Sequence, residues 1–455
     1  MVLDQQRASI LPEGSPTGPT APIAASRLAR PASDDLALYD VAIAGGGIVG
    51  LTLACALKHS GLRVALIEAR PKIAGLHQHR AYAITLLTGR IFQGLGIWDE
   101  ILPQITTFPT IRLADADCPA VVNLAPEDLG TAELGYVAEH PVLVRALLAM
   151  LEDADNVTWF SPAELLKVDP AEVSAQTPDC TRLTLRTETG DRTLTTRLLI
   201  AADGVRSPLR QAAGIGTQGW QYWQSCVTAV IRPEHSHGNI AREHFWESGP
   251  FATLPLPDNR CQIVLTAPHA EAQHWLTATE AEFLAELNRR YDGQLGELEL
   301  LGDRTLFPVR LMQSDRYIQP RLALVGDAAH CCHPVGGQGL NLGIRDAAAL
   351  AEVILHAHER QEDPGSVAVL RRYERWRKLE NWVILGFTDI LDRLFSTRWV
   401  PLVATRRISL WLMRGIPPMR FLALTLMTGL SGRLPQLAGR SPKSQHSHNL
   451  SNPHR

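Results

Sequence analysis

Val41-Ala42-Ile43-Ala44-Gly45-Gly46-Gly47-Ile48-Val49-Gly50 is the stretch of this 455-residue chain that decides its fold. Four apolar residues read as a buried strand, and a glycine turn follows. From Ile48 to His59 the pattern turns helical, and Arg63 to Glu68 reads as a second strand. Strand, turn, helix and strand of these lengths make a βαβ unit of a parallel sheet. Gly45, Gly47 and Gly50 form a GxGxxG. The first permits a tight turn, the second lets a pyrophosphate approach the backbone, and the third lets the helix pack on the sheet. The helix N-terminus offers unpaired N–H groups to the phosphates. Glu68 follows eighteen residues after Gly50, at the end of the second strand, where an acid accepts hydrogen bonds from a ribose. Its carboxylate disfavours a 2′-phosphate, so NADP is not expected at this turn.

Two further turns carry chemistry. In Leu199-Ile200-Ala201-Ala202-Asp203-Gly204-Val205-Arg206-Ser207 an apolar strand ends in Asp-Gly. In Leu322-Ala323-Leu324-Val325-Gly326-Asp327-Ala328-Ala329-His330 a buried strand brings an acid to its carboxyl end, where open α/β sheets bind ligands. The chain then runs through Pro334-Val335-Gly336-Gly337-Gln338-Gly339-Leu340-Asn341. The small Ala328 and Ala329 leave room for something large. The glycines put bare N–H groups at the start of the next helix, where they stabilise negative charge.

Composition narrows the classes. Hydrophobic residues are 45% and charged residues 20% of the chain, which is globular usage and excludes collagen or global disorder. A net charge of −3 speaks against a dedicated nucleic-acid binder. The seven cysteines show no metal-ligand spacing, so a reducing compartment and no metal site are expected. No apolar run is long enough to span a bilayer, and the N-terminus lacks a signal-peptide layout. A cytoplasmic protein is expected.

The three turns together resemble the fingerprints of class A flavoprotein aromatic hydroxylases. Within them the chain is similar to the ubiquinone-biosynthesis ring hydroxylases, through Leu134-Gly135-Tyr136-Val137-Ala138-Glu139-His140-Pro141-Val142-Leu143, the Gly336–Asp346 stretch and Leu394-Phe395-Ser396. The resemblance covers about Asp40 to Gly432. It implies an α/β fold: a Rossmann-like FAD-binding domain of the para-hydroxybenzoate hydroxylase type, an inserted β-sheet substrate lobe and a helical C-terminal segment. The expected divisions are a disordered lead over 1–37, the FAD domain over 38–215 and 313–395, the sheet lobe over 216–312, the helical segment over 396–439 and a disordered tail over 440–455. Within the lobe no clean helix is expected before Glu280–Arg290.

Carried over by position, the resemblance implies that Gly45, Gly47 and Gly50 hold the FAD pyrophosphate and Glu68 the adenosine ribose. Arg80 lies along the flavin, Asp203 and Gly204 form a second fingerprint linked to FAD and NAD(P)H, and Asp327 binds the ribityl or pyrophosphate portion. Gly337, Gln338 and Gly339 sit under the isoalloxazine. NAD(P)H or a ferredoxin-type protein would supply electrons and O₂ the oxygen. The implied reaction is hydroxylation of an aromatic ring on a prenylated phenol or quinone precursor. Epoxidases, reductases and halogenases share this fold, and a non-catalytic escort of a prenylated partner is a rival from another class. The Trp-rich halogenase signature and the prenyl-reductase segment are absent.

The sequence names no catalytic base. His244, His269 and His333 are candidates by residue type alone. Arg232, Arg242 and Arg310 would clamp a carboxylate if the substrate were a small acid. Arg398–Arg433 interleaves tryptophan, leucine and isoleucine with six arginines. It reads either as a helical lid on the FAD domain or as a peripheral membrane contact. A quinone-biosynthesis complex is a candidate assembly. The ring itself is not encoded, and a plastoquinone or naphthoquinone precursor replaces ubiquinone's if the source makes none.

Overall fold

The computed structural model describes residues 38–78, 80–115, 118–170, 180–397 and 399–439. The proposed disordered lead and tail lie outside them, as does Arg398. Leu38–Ala44 forms the first strand and is almost wholly buried from Val41 onward. It pairs in parallel with Val64–Ile67 on one side and with the end of Gly190–Ala201 on the other. Leu322–Leu324 adds beyond Gly190–Ala201, and Val157–Phe160 beyond Val64–Ile67, both parallel. Thr181–Thr187 and Gly190–Ala201 form an antiparallel hairpin. Because the first strand is central, its carboxyl end lies beside those of Gly190–Ala201 and Leu322–Leu324. All three glycine-bearing turns therefore emerge at one edge of one sheet.

The helix after the first turn, Ile48–Ala56, is buried on nearly every side. The long helix Gln338–Glu359 packs against it. The latter begins directly at the glycines. Its Asp346 is fully buried and gathers four partners. The Arg377 guanidinium donates to it at 2.8 Å, the His330 ring at 2.5 Å, the Asn381 amide at 3.1 Å and the Gly326 N–H at 3.2 Å. Burial alone would raise this carboxyl, but the charges of His330 and Arg377 outweigh it and hold it down at about 2. The 29-residue helix Val367–Phe395, which carries Arg377 and Asn381, is thereby tied to the Gly326 turn.

A second sheet of eight strands forms the inserted lobe. Its order is His330–Cys331, Leu298–Ser314, Thr217–Pro233, Arg260–Pro268, Gly249–Leu256, Ile240–Trp246, Thr110–Asp115 and Cys118–Leu124. The last two strands come from earlier in the chain than the 216–312 block, and Thr110–Asp115 pairs in parallel with Ile240–Trp246. Phe283, Leu287 and Tyr291 of the helix Glu280–Tyr291 cover the outer face. A helix at His269–Thr277 precedes it, contrary to the sequence reading. It buries only Ala272, so it has no apolar stripe to announce it.

Two C-terminal helices, Val400–Gly415 and Pro417–Met427, pack Leu410 and Leu424 on the inner side of the lobe. Arg406 makes a bidentate, buried pair with Asp115 at 2.8 and 3.1 Å.

Asp346→Asn would leave the Arg377 charge buried without its anion, a change that costs ~3–5 kcal/mol. A clear fall in urea midpoint is expected, with loss of the Gly326 turn. In the wild type the folded-state value lies below the unfolded one, near ~3.9. The carboxylate's contribution is therefore complete above that value and is lost as pH falls toward about 2. The gap between the two urea midpoints should hold from pH 7 to about 4 and narrow as pH falls from there toward about 2. Parallel curves would contradict this role.

Candidate functional site

The three turns meet where no side chain fits between them. Gly45 has φ +117°, and a Cβ there would stand 2.2 Å from the Ala202 carbonyl oxygen. A Cβ on Gly50 would stand 2.0 Å from the Gly45 carbonyl. Val49 fills the space above Gly326 and Gly343, whose Cβ positions would lie 3.3 and 2.7 Å from its methyls. Arg210 fastens the second turn to the third, donating to Ala328 O at 2.8 Å and to Val205 O at 2.9 Å.

The joined turns wall a cavity of about 640 Å³ between the parallel sheet and the lobe. Gly47, Arg80, Gly204, Asp327, Gly337 and Gly339 all line it. A Cβ on Gly47 or Gly204 would meet nothing within 4 Å, so the backbone there is open to a ligand. Ile48–Ala56 and Gln338–Glu359 both start without a side-chain cap, and neither has an acid in its first turn. Two positive helix ends thus serve one cavity. Glu68 stands beside it: its carboxylate accepts from Gly46 N at 2.7 Å and from Arg70 N at 3.0 Å. Asp327 is open to the cavity although protein surrounds it, and that enclosure raises its carboxyl above the ordinary range. Open glycines, two uncapped helix ends, a carboxylate held at the edge by Gly46 and Arg70 and a recessed carboxylate make a donor and acceptor set that suits a flavin dinucleotide.

Two expected residues play indirect parts. Asp203 turns from the cavity and accepts from Leu209 N at 3.2 Å, steadying the second turn, while its Oδ1 is buried without a partner. Gln338 is also turned away. Its amide donates to Gly336 O and Met427 O, both at 3.0 Å, and so ties the glycine loop to the end of Pro417–Met427. Asn341 has a matching role that the sequence reading quoted but did not assign. It accepts from Thr85 N at 3.0 Å and donates to Ala83 O and Gly337 O at 2.8 Å.

None of the three histidines chosen by type lines the cavity. His269 is exposed and bonds the Ser225 hydroxyl at 2.7 Å. Burial pushes His244 down to about 4, with Arg112 and Arg242 adding to it, and pushes His333 down to about 3. His140 is on the cavity wall, hydrogen-bonded to the Tyr82 hydroxyl at 3.1 Å; burial and the charge of Arg80 lower it to about 4, so it is neutral. Of the three candidate clamps, Arg232 is spent on Glu299 at 2.7 Å outside the cavity. Arg242 lines it but donates to His237 O and Ile240 O, and Arg310 faces it. The sequence reading missed Glu243, which lines the cavity from the lobe. Burial raises it to about 8, opposed by the Gly336 backbone, and its Oε1 is sealed without a partner.

The sequence pattern of the FAD binding domain family matches residues 38–388. An uncharacterized protein of Synechocystis is 54% identical over 90% of this chain and 97% of its own length. A ubiquinone hydroxylase of Rhodospirillum rubrum is 36% identical over 90% of this chain and 92% of its own. The 3-demethoxyubiquinol 3-hydroxylase of Escherichia coli is 34% identical over 82% and 93%. The crystal structure of p-nitrophenol 4-monooxygenase from Pseudomonas putida shares the fold, with a TM-score of 0.72 at 20% identity over 87% of this chain and 99% of that one. With this fold, these three interlocked turns and these relatives, the chain belongs to the FAD binding domain family and, within it, to the flavoprotein hydroxylases of the ubiquinone-biosynthesis branch.

Proposed function

We propose that the protein is an FAD-dependent monooxygenase that hydroxylates the aromatic ring of a prenylated phenol or quinone precursor. The observation that carries this reading is the cavity's two-sided lining. One side is bare backbone and charge. The other is apolar, built from Phe108, Ile111, Leu254, Val264, Leu340 and Met427. Gly45, Gly47 and Gly50 would seat the pyrophosphate, Glu68 the adenosine ribose, and Arg80, Gly204 and Asp327 the remainder of the cofactor. Gly337 and Gly339 would lie under the ring, with Gln338 and Asp203 holding the loops that do so. Bound there, FAD supplies electron transfer from NAD(P)H or a ferredoxin-type donor and the activation of O₂.

The residues of the chain bind, orient and dry the site. The apolar wall excludes water and takes up a prenyl chain, with ~0.8 kcal/mol gained per buried CH₂. A substrate held in this way needs few polar anchors, in keeping with the commitment of Arg232 and Arg242 elsewhere. The uncapped start of Gln338–Glu359 stabilises negative charge that develops over the glycines.

A membrane source for such a substrate is supported by the C-terminal helices. Trp399, Ile408, Trp411, Phe421 and Leu422 are between 52% and 69% exposed, and the helix bearing the last two ends at Met427 on the cavity wall. Among the described residues no helix is long and apolar enough to cross a membrane. The arrangement fits a surface that rests in a lipid interface, with Arg407 and Arg414 on the same helix as Trp411.

Two outcomes are expected. Reduced enzyme supplied with ¹⁸O₂ and phenols of increasing prenyl length should place label in the product, with turnover favouring longer chains; label found only in H₂O₂ would contradict ring hydroxylation of lipids. Flotation with anionic vesicles should show binding that weakens as salt rises and that Trp411→Glu reduces. Absence of binding at low salt would return the helices to a purely structural role.

A further inference from the structure

We infer that Glu243 is the group that takes the proton from the ring hydroxyl of the substrate. The inference rests on the hydroxylase reading above. Glu243 lies on the strand Ile240–Trp246, where Ala241 and Phe245 share its face and are buried. A strand places alternate residues on one side, so the carboxyl projects with these apolar neighbours toward the cavity it lines. Across the sheet it pairs with Ala252 and Leu113, neither of which can bond it. The Gly336 backbone lies close enough to favour the ionised carboxyl, so Glu243 sits against the loop that also carries Gly337 and Gly339. Its Oε1 is sealed from solvent without a donor. A buried carboxyl oxygen with no donor is costly unless something supplies one. A phenolic O–H is such a donor.

The other ionisable groups sharing the cavity are Arg80, Arg206, Arg242, Arg310, Asp327, His140, Tyr82, Cys331 and Cys332. Enclosure raises the Glu243 carboxyl, and the Gly336 backbone opposes it. Cys226, behind it, feels its charge but is itself held as a thiol by burial. His140 is kept neutral and weakly basic, and Asp327 belongs to the glycine side. Glu243 is therefore the carboxyl on the lobe side of the cavity.

The step balances as a proton transfer. The O–H bond of the ring hydroxyl breaks, and a new O–H bond forms on the ionised carboxylate. The electron pair left on the oxygen enters the ring, which makes the carbon positions ortho and para to it more nucleophilic. A carboxylate whose acid form titrates near the working pH is a stronger base than an ordinary one and still releases the proton afterwards.

The test compares wild type, Glu243→Gln and Glu243→Asp as FAD-loaded enzymes, with flavin content and thermal midpoint showing that each is folded. With a prenylated phenol, kcat of Glu243→Gln should fall roughly 10²–10⁴-fold, the range of general acid–base catalysis, with KM little changed. The wild-type kcat should rise with pH through a limb that Glu243→Gln lacks and Glu243→Asp keeps. A second readout needs no turnover. A prenylated nitrophenol bound to the wild type should ionise in two steps, because it shares a proton with the carboxyl, and in a single step in Glu243→Gln. Equal kcat, an unchanged limb or identical one-step titrations would overturn the assignment and leave the hydroxylase reading standing. Failure of the wild type to bind or turn over any prenylated phenol would overturn both.

Discussion

The close contact of Gly45, Gly50 and Ala202 with Val49, Gly326 and Gly343 is the constraint from which the rest of the site follows. Three turns far apart in sequence come within van der Waals reach because strand order puts the first strand between the second fingerprint and the second sheet strand, with the third fingerprint next along. Backbone meets backbone there, and a methyl group at Gly45 or Gly50 would collide with a carbonyl oxygen. The backbone N–H groups and helix ends that remain unused face the space the turns enclose. The cavity is therefore a consequence of how the sheet closes.

Polar groups lock that contact from behind. Asp346 anchors Gly326 and His330 and draws in Arg377 from the following helix, while Arg210 crosses from the second turn to the third. A buried network of this kind contributes little over a well-packed apolar core, but it specifies one arrangement, because each member left alone would be a buried charge or an unmet donor. Asn341 and Gln338 extend the same logic outward, fixing the glycine loop to the strand Ala81–Thr85 and to Met427. The C-terminal helix Pro417–Met427 and the cavity floor are thus directly joined.

Much of this was legible in the sequence, because glycines at fixed spacing after an apolar run have few structural uses. The βαβ opening, Glu68 at its end and the late Gly-Asp turn stand where their motifs place them. Side-chain direction was not legible. Asp203 and Gln338 sit within fingerprints, yet both turn inward to hold loops, a choice made by contacts with Leu209 and Met427. The helix His269–Thr277 lacks an apolar stripe, and the strands 110–115 and 118–124 join the lobe through a long-range parallel pairing. Glu243 was invisible for a related reason. A single glutamate in a strand reads as a solvent-facing residue, and only closure by the Gly336 loop makes its surroundings apolar. The three histidines were favoured by type, but none of them lines the cavity: burial keeps His244 and His333 neutral, and His269 is exposed against Ser225.

The central claim is that the open backbone at Gly47 exists for the cofactor and not for the fold. Its φ of −73° and ψ of 175° suit any residue, and a Cβ there meets no protein within 4 Å. Gly47→Val should fold with the thermal midpoint of the cofactor-free wild type and yet purify without bound flavin, failing to take up FAD in a direct titration. A variant that stays yellow, with FAD bound as tightly as in the wild type, would contradict the account.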